Sequence, residues 1–317
     1  MATYDELDEQ SQQLIAAMHA RKITFQSEAE KLQGERDGYR RIIPMAGVVE
    51  ALYAIHDKYL DTDFGTIPVR IYRPNDKKPL PVLIYFHGGG YVSGGLDTHD
   101  QQLRYFSKHA GIIVIAVAYS LAPERKYPAA ISDAYYTVKW VHENCAALHI
   151  DHKHIAIGGD SAGGLLSALL AMKLRDEKII PIAFQLLLCP NLDLTMSSDS
   201  WKALGEKAYI LSARKQIDFY NWFLPSDIDR GNETVSPIFA SDFSVLPPTM
   251  IVTAAADPLK DEGRLYMEKL QQARVPVMHK EYEGVVHGFY QLSGVIDKGK
   301  VALDDVCAAL KAALAGE

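Results

Sequence analysis

From Pro81 onward the chain keeps one rhythm: short unbroken apolar stretches bounded by glycine or proline alternate with longer segments of helical spacing. The strands predicted from this rhythm are Val82–Phe86, Ile112–Ala118, Ile155–Gly158, Ile182–Cys189, Met250–Ala254 and Val277–Tyr282. Apolar strands that do not alternate need cover on both faces. Helices are predicted near His99–His109, Pro128–Asn144, Ala162–Arg175 and Asp261–Arg274, with a last one over Lys298–Ala315. Strand–helix–strand repetition implies an α/β fold with a mostly parallel, doubly wound sheet. Ahead of it, Ala54–Leu60 and Ile67–Tyr72 flank Phe64-Gly65 and predict a hairpin, which brings the strands to eight.

Two segments stand outside this rhythm. Leu7 to about Leu32 predicts one amphipathic helix, started by a Thr3/Glu6 capping box. Between Asn191 and Pro248 no core strand is evident, yet Trp201, Tyr209, Phe219, Tyr220, Trp222 and Phe223 crowd the segment. Insertions of that length are usually functional.

Composition narrows the functional classes. With 48% hydrophobic and 23% charged residues the chain is that of an ordinary globular protein. A net charge of −7 argues against nucleic acid or anionic membrane as a partner. The longest apolar run, Ile112–Ala118, is far short of the roughly 18 residues of a membrane helix. Cys145, Cys189 and Cys307 lack the spacing of a disulfide framework or a zinc site. The acidic start MATYDELDEQ has no signal-peptide character, so a cytoplasmic location is expected.

The chemistry concentrates at four predicted strand ends. Gly159-Asp160-Ser161-Ala162-Gly163 lies between a strand and a helix. A sharp turn there holds a serine clear of the sheet, and the flanking glycines remove the Cβ atoms that would clash. His87-Gly88-Gly89-Gly90 follows an earlier strand. Its backbone amides at Gly88 and Gly89, with that of Ala162, are the expected oxyanion hole. A phosphate cradle is the other reading of such a run, but neither GxxxxGK[ST] nor GxGxxG is present there.

Asp257 and His287 each close a later strand, and Ser161, Asp257, His287 is the chain order of α/β-hydrolase triads. Serine needs a neutral imidazole to take its proton, and the imidazole needs a buried carboxylate to set its tautomer. His149, Asp151, His152 and His154 form a polar patch before a strand; without zincin spacing it reads as solvated loop, and no metal is expected. Asp100 is either a tie for the oxyanion loop or part of a surface face, and Asp160 is expected to be a local anchor. Cys189 reads as a small buried apolar residue. Trp201, Tyr209 and Phe219 are candidates for the acyl-pocket wall, or glue within the insertion.

These segments resemble the α/β-hydrolases of the hormone-sensitive-lipase type, the HGGG esterases. His87–Gly90, Gly159-Asp-Ser-Ala-Gly-Gly164, Asp257-Pro-Leu-Lys-Asp-Glu-Gly263 and His287-Gly-Phe289 carry the likeness. Leu96-Asp-Thr-His-Asp100 and Tyr119-Ser-Leu-Ala-Pro-Glu124 add to it, and Tyr220-Asn-Trp-Phe-Leu-Pro225 is similar to bacterial acetyl esterases. The resemblance implies a cofactor-free serine carboxylesterase for small esters of short acyl groups, acetyl or butyryl. It also implies a helical cap built from residues 1–50 and an insertion around 191–225, a catalytic domain over 51–317, and a possible homodimer. One departure is Ser120, where the family carries a basic residue, which puts a supporting salt bridge in question. An amidase, or a non-catalytic small-ligand receptor on the same scaffold, are the alternatives.

Overall fold

The computed structural model describes residues 6–20, 24–77, 79–207 and 209–315. Eight strands form one sheet in the order β1-β2-β4-β3-β5-β6-β7-β8. They are β1 (Ala54–Thr62), β2 (Gly65–Arg73), β3 (Leu80–Phe86), β4 (Ile113–Val117), β5 (Ile150–Asp160), β6 (Phe184–Leu188), β7 (Thr249–Ala256) and β8 (Val277–Val286). The hairpin β1–β2 is antiparallel and β2 pairs antiparallel with β4, while every pairing from β4 to β8 is parallel. An α/β sandwich with a mostly parallel eight-stranded sheet is the predicted architecture.

The missing alternation has its explanation in the two faces. Ile84, Ile115, Ile157 and Leu187 pack on one side under α4 (Ala129–Glu143), α5 (Ala162–Glu177) and α8 (Lys260–Gln272). Their neighbours Leu83, Val114, Ala156 and Leu186 pack on the other, under α3 (Asp100–Ala110) and α9 (Asp297–Ala313). Burial on both faces demands apolar residues at every position.

The N-terminal segment departs from the single predicted helix. It forms α1 (Glu9–His19) and α2 (Glu28–Arg40). Asp8 caps α1 by accepting from Ser11 N at 2.9 Å. Ser27 starts α2 by accepting from Glu30 N at 3.2 Å, and the Glu30 carboxylate accepts in turn from Gln26 N. Ser27-Glu28-Ala29-Glu30 is a capping box, and that signal outweighs the apolar spacing that runs across it. Thr3 lies outside the described residues, and Glu6 bonds instead to Tyr209 and Lys207. The His149–His154 patch, expected as loop, enters β5 at Ile150, with His154 Nδ1 2.8 Å from Asp151.

Among the described residues the stretch from 191 to 248 holds no strand; it contributes α6 (Asp199–Leu204) and α7 (Ala213–Phe223). Helix α2 buries no residue. It is held to α7 by Lys31–Asp218 and Glu35–Lys215, both 2.7 Å, and to the segment after β4 by Arg36–Glu124, also 2.7 Å. Arg36 further donates to the carbonyls of Val92 and Ala122. Partly exposed ion pairs are worth about 0–1 kcal/mol each, so α2 is held mainly by polar ties, with Leu32 its contact to a core cluster. Arg36→Ala should therefore raise amide hydrogen exchange across 28–40 at least tenfold while global stability falls by about 1 kcal/mol or less. Exchange mass spectrometry beside a urea melt checks both.

Candidate active site

Each candidate side chain stands at the C-terminal edge of the sheet. Ser161 follows β5 and begins the turn into α5 with φ 51° and ψ −114°, a conformation that strains a residue bearing a Cβ. Its amide donates to Leu188 O at 2.9 Å and its carbonyl accepts from Asn191 N at 3.1 Å. The glycines of the motif act by close approach. A Cβ on Gly163 would lie 1.9 Å from Phe86 O, and one on Gly159 would lie 2.4 Å from the Gly163 backbone. Only glycine lets the end of β3 and the start of α5 meet there.

Asp257, fully buried, follows β7. One carboxylate oxygen accepts from Leu259 N at 3.0 Å, and the other lies 2.7 Å from His287 Nδ1. A carboxylate only accepts, so Nδ1 carries the hydrogen and Nε2 the lone pair. His287 follows β8, and Gly288 at φ 73° turns the chain away from it. Burial pulls the imidazole down, but the charge and hydrogen bond of Asp257 outweigh it and hold His287 above its ordinary value.

The glycine loop after β3 differs from expectation in one donor. The amide of Gly88 donates to Asp160 Oδ1 at 3.0 Å, so it is committed to a carboxylate and not aimed at a substrate oxygen. Asp160 is the anchor of this corner. It also accepts from Tyr85 OH at 2.8 Å and Gln291 Nε2 at 2.9 Å, and lies 3.2 Å from His99 Nε2. Burial raises its carboxyl, but His99 and Tyr85 reverse that and keep it low. His87 is pushed by burial down to about 4, hence neutral, with Nδ1 2.8 Å from Gly88 O. Its ring stacks on Tyr119 at 4.3 Å, whose hydroxyl donates to His87 O.

Asp100 does not tie this loop. It accepts from Tyr72 OH and Arg104 and pairs with Arg70, while its neighbour His99 reaches Asp160. The basic partner missing at Ser120 comes from Arg125, which donates to Ser120 Oγ at 2.8 Å and approaches Asp133. Of the three aromatic candidates, Phe219 lies over the loop: a Cβ on Gly90 would sit 2.3 Å from its ring. Trp201 is buried with its indole donating to Glu262. Tyr209 packs with Leu7, Ile15, Ala256 and Val286, beside the strand ends that carry Asp257 and His287. Cys189 is buried as expected, and its sulfur lies within 4.8 Å of the Asp257 and His287 ligand atoms. A cation there would have to part the Asp257–His287 bond and deprotonate a thiol that burial and Asp257 push far up. Gln291, Tyr85 and Asn191 belong to the site but lie in no sequence motif that pairs them with it.

Comparison with known proteins bears on the fold and the family. Residues 83–291 match the alpha/beta hydrolase fold family. Esterase LipI of Mycobacterium tuberculosis is 39% identical over 267 residues, covering 82% of each chain. An ethyl acetate hydrolase of Pseudomonas putida is 35% identical, over 84% of this chain and 85% of its own. Among solved structures, a Pyrobaculum calidifontis esterase superposes with a TM-score of 0.90 at 34% identity, over 98% of this chain and 100% of its own. The chain belongs to the α/β-hydrolase family. No helix among the described residues is long and apolar enough to cross a membrane.

Removing Asp160 would leave the Gly88 amide and the Tyr85 hydroxyl without their acceptor in a dry site, at about 1–3 kcal/mol for each orphaned group. Asp160→Ala should therefore lose at least about 2 kcal/mol in urea melts, and Asp160→Asn, which keeps one acceptor oxygen, should lose less.

Proposed function

We propose that the protein is a serine carboxylesterase for short-acyl esters. Ser161 attacks the ester carbonyl and His287 takes its proton through Nε2. Asp257 holds the imidazole and balances the imidazolium that forms. The same proton then leaves with the alcohol, and His287 activates the water that releases the acid. The observation that carries this reading is the 2.7 Å Asp257–His287 pair, formed on the same sheet edge where the turn after β5 holds Ser161 at positive φ. The relatives named as esterases support hydrolysis of carboxylic esters.

For the oxyanion, the commitment of Gly88 to Asp160 favours donors one step further along the loop. We assign Gly89 and Ala162, with Gly90 the next amide in line. In this reading Gly88 braces the loop, and the donors are preorganised because their neighbour is already bonded. A cap formed by α1, α2, α6 and α7 would cover the site. Phe219 over Gly90 would narrow the acyl side, which supports a preference for short chains. Trp201 and Tyr209, bonded to Glu262 and Glu6, would serve the cap and not the pocket wall.

Initial rates on p-nitrophenyl esters from acetate to laurate test the reading. Turnover should fall with chain length, and Ser161→Ala should lose at least about 10³-fold in kcat with its fold intact. No ester turnover by folded wild type, or hydrolysis of matched anilides at comparable rates, would overturn it. Because His287 must be neutral to act and is held above its ordinary value, kcat/KM should rise with pH through a limb above about 6.5 and then level off. Asp257→Asn should lower kcat by about 10⁴-fold through the wrong tautomer.

A further inference from the structure

Glu262 sits in the first turn of α8, five residues beyond Asp257, and is 1% exposed. Its partners are N–H groups. One oxygen accepts from Leu192 N at 2.6 Å, Asp193 N at 3.0 Å and Asn191 Nδ2 at 3.3 Å; the other accepts from Trp201 Nε1 at 2.9 Å. Burial pushes the carboxyl up to about 8, against the pull of Trp201 and the two amides. All four partners donate, three to one oxygen and one to the other, so the group is held from both sides. A carboxylate taken out of water needs this many donors, and an apolar side chain of similar volume would fill the space with less cost. The group therefore matters for where it holds those N–H donors.

They belong mostly to one turn, 191–193, which leaves β6 directly beneath the nucleophile. Asn191 N donates to Ser161 O at 3.1 Å, and Ser161 N in turn donates to Leu188 O at 2.9 Å. The strained serine is thus bonded by its carbonyl to the turn that Glu262 fixes, and by its amide to the end of β6 just before that turn. The Asn191 side chain extends the same connection. Its oxygen accepts from Tyr91 OH at 2.9 Å, Tyr220 OH at 3.1 Å and Gln216 Nε2 at 3.2 Å. Tyr91 follows the last glycine of the oxyanion loop, and Gln216 and Tyr220 lie on α7. Trp201, the fourth donor, lies on α6.

We propose that Glu262 is a positioning residue for the esterase reaction: by holding the 191–193 turn it sets the backbone of Ser161 and couples the insertion helices to the nucleophile. This rests on the reading of Ser161 as nucleophile. Two consequences separate it from a merely structural role. Loss of the carboxylate should slow steps that involve Ser161 while leaving KM for a small ester nearly alone. Loss of another bond between α8 and α6 that bypasses the turn should do neither. Asp261 provides that second case: its carboxylate accepts from Ser200 N at 2.8 Å on α6 and from Arg264 within α8, away from the 191–193 turn.

The experiment compares wild type, Glu262→Gln, Glu262→Asp and Asp261→Asn. The readouts are the second-order rate of fluorophosphonate capture at Ser161, kcat and KM for p-nitrophenyl acetate, and thermal melting. In Glu262→Gln one side loses its acceptor: the amide N–H₂ must face either the three donors of the 191–193 turn or the Trp201 indole, so the turn or its tie to α6 shifts. Its capture rate and kcat should fall about tenfold to a hundredfold, as sub-ångström to 1 Å misplacement of a reacting group does, with KM within about twofold. Glu262→Asp keeps the charge but withdraws it, and should fall between; it carries the test if Glu262→Gln does not fold. Asp261→Asn should stay within about twofold of wild type in kcat. Unchanged kcat and capture in folded Glu262 variants, or a loss confined to KM, or an equal loss in Asp261→Asn, would overturn the proposal. Wild type that neither hydrolyses esters nor reacts with fluorophosphonate would instead overturn the esterase reading itself.

Discussion

The α-carbon of Gly163 presses so closely on the carbonyl of Phe86 that a methyl group there would stand 1.9 Å from the oxygen. That contact brings the first turn of α5 against the end of β3, and Gly159 packs into the same corner. As a result the glycine loop after β3 and the Ser161 turn leave the sheet side by side. Asp160 can then reach across to the Gly88 amide, and Ser161 is driven into positive φ. The strain is sustained because the serine's amide is bonded to Leu188 at the end of β6 and its carbonyl to Asn191 in the turn that follows.

Three of the buried carboxylates around this corner, Asp160, Asp257 and Glu262, are satisfied differently. Asp160 gathers an amide, a tyrosine, a glutamine and a histidine, and so braces the loop. Asp257 has a backbone amide on one oxygen and the His287 imidazole on the other, which leaves its charge aimed at a group that can titrate. Glu262 faces N–H donors. A buried charge is tolerated only with such partners, and the kind of partner decides what the charge does. Beside an imidazole it raises basicity; among amides it holds a backbone in place.

Helix α2 shows the contrasting regime. It buries no side chain and is held by ion pairs and by Arg36 on two carbonyls. Yet Tyr39, near its end, lies 3.3 Å from Gln291, which bonds Asp160. A weakly held helix is therefore linked by one polar path to the most tightly bonded corner of the molecule.

Much of this was legible in the chain itself. Largely apolar runs located β3 to β7, because burial on two faces leaves no room for alternation. The glycine-flanked serine and the strand-end Asp257 and His287 followed from local steric and chemical requirements. Where local signals compete or fall silent, the reading failed. The capping box at Ser27 divided a helix that apolar spacing had joined, and β8 runs on past the predicted Tyr282 to Val286 through Glu283, a charged residue that an edge strand can carry. The commitment of the Gly88 amide to Asp160 could not be read, since nothing in a glycine run states where each N–H points. Nor could the pairing of Gln291 with a carboxylate 131 residues away, or of Glu262 with the turn after β6. Sequence alone determined which segments become strands and which residue types stand at their ends, since periodicity and backbone sterics act over a few residues. Only the tertiary structure decided which donor meets which acceptor, because the sheet order, β1-β2-β4-β3-β5-β6-β7-β8, places side by side segments far apart along the chain.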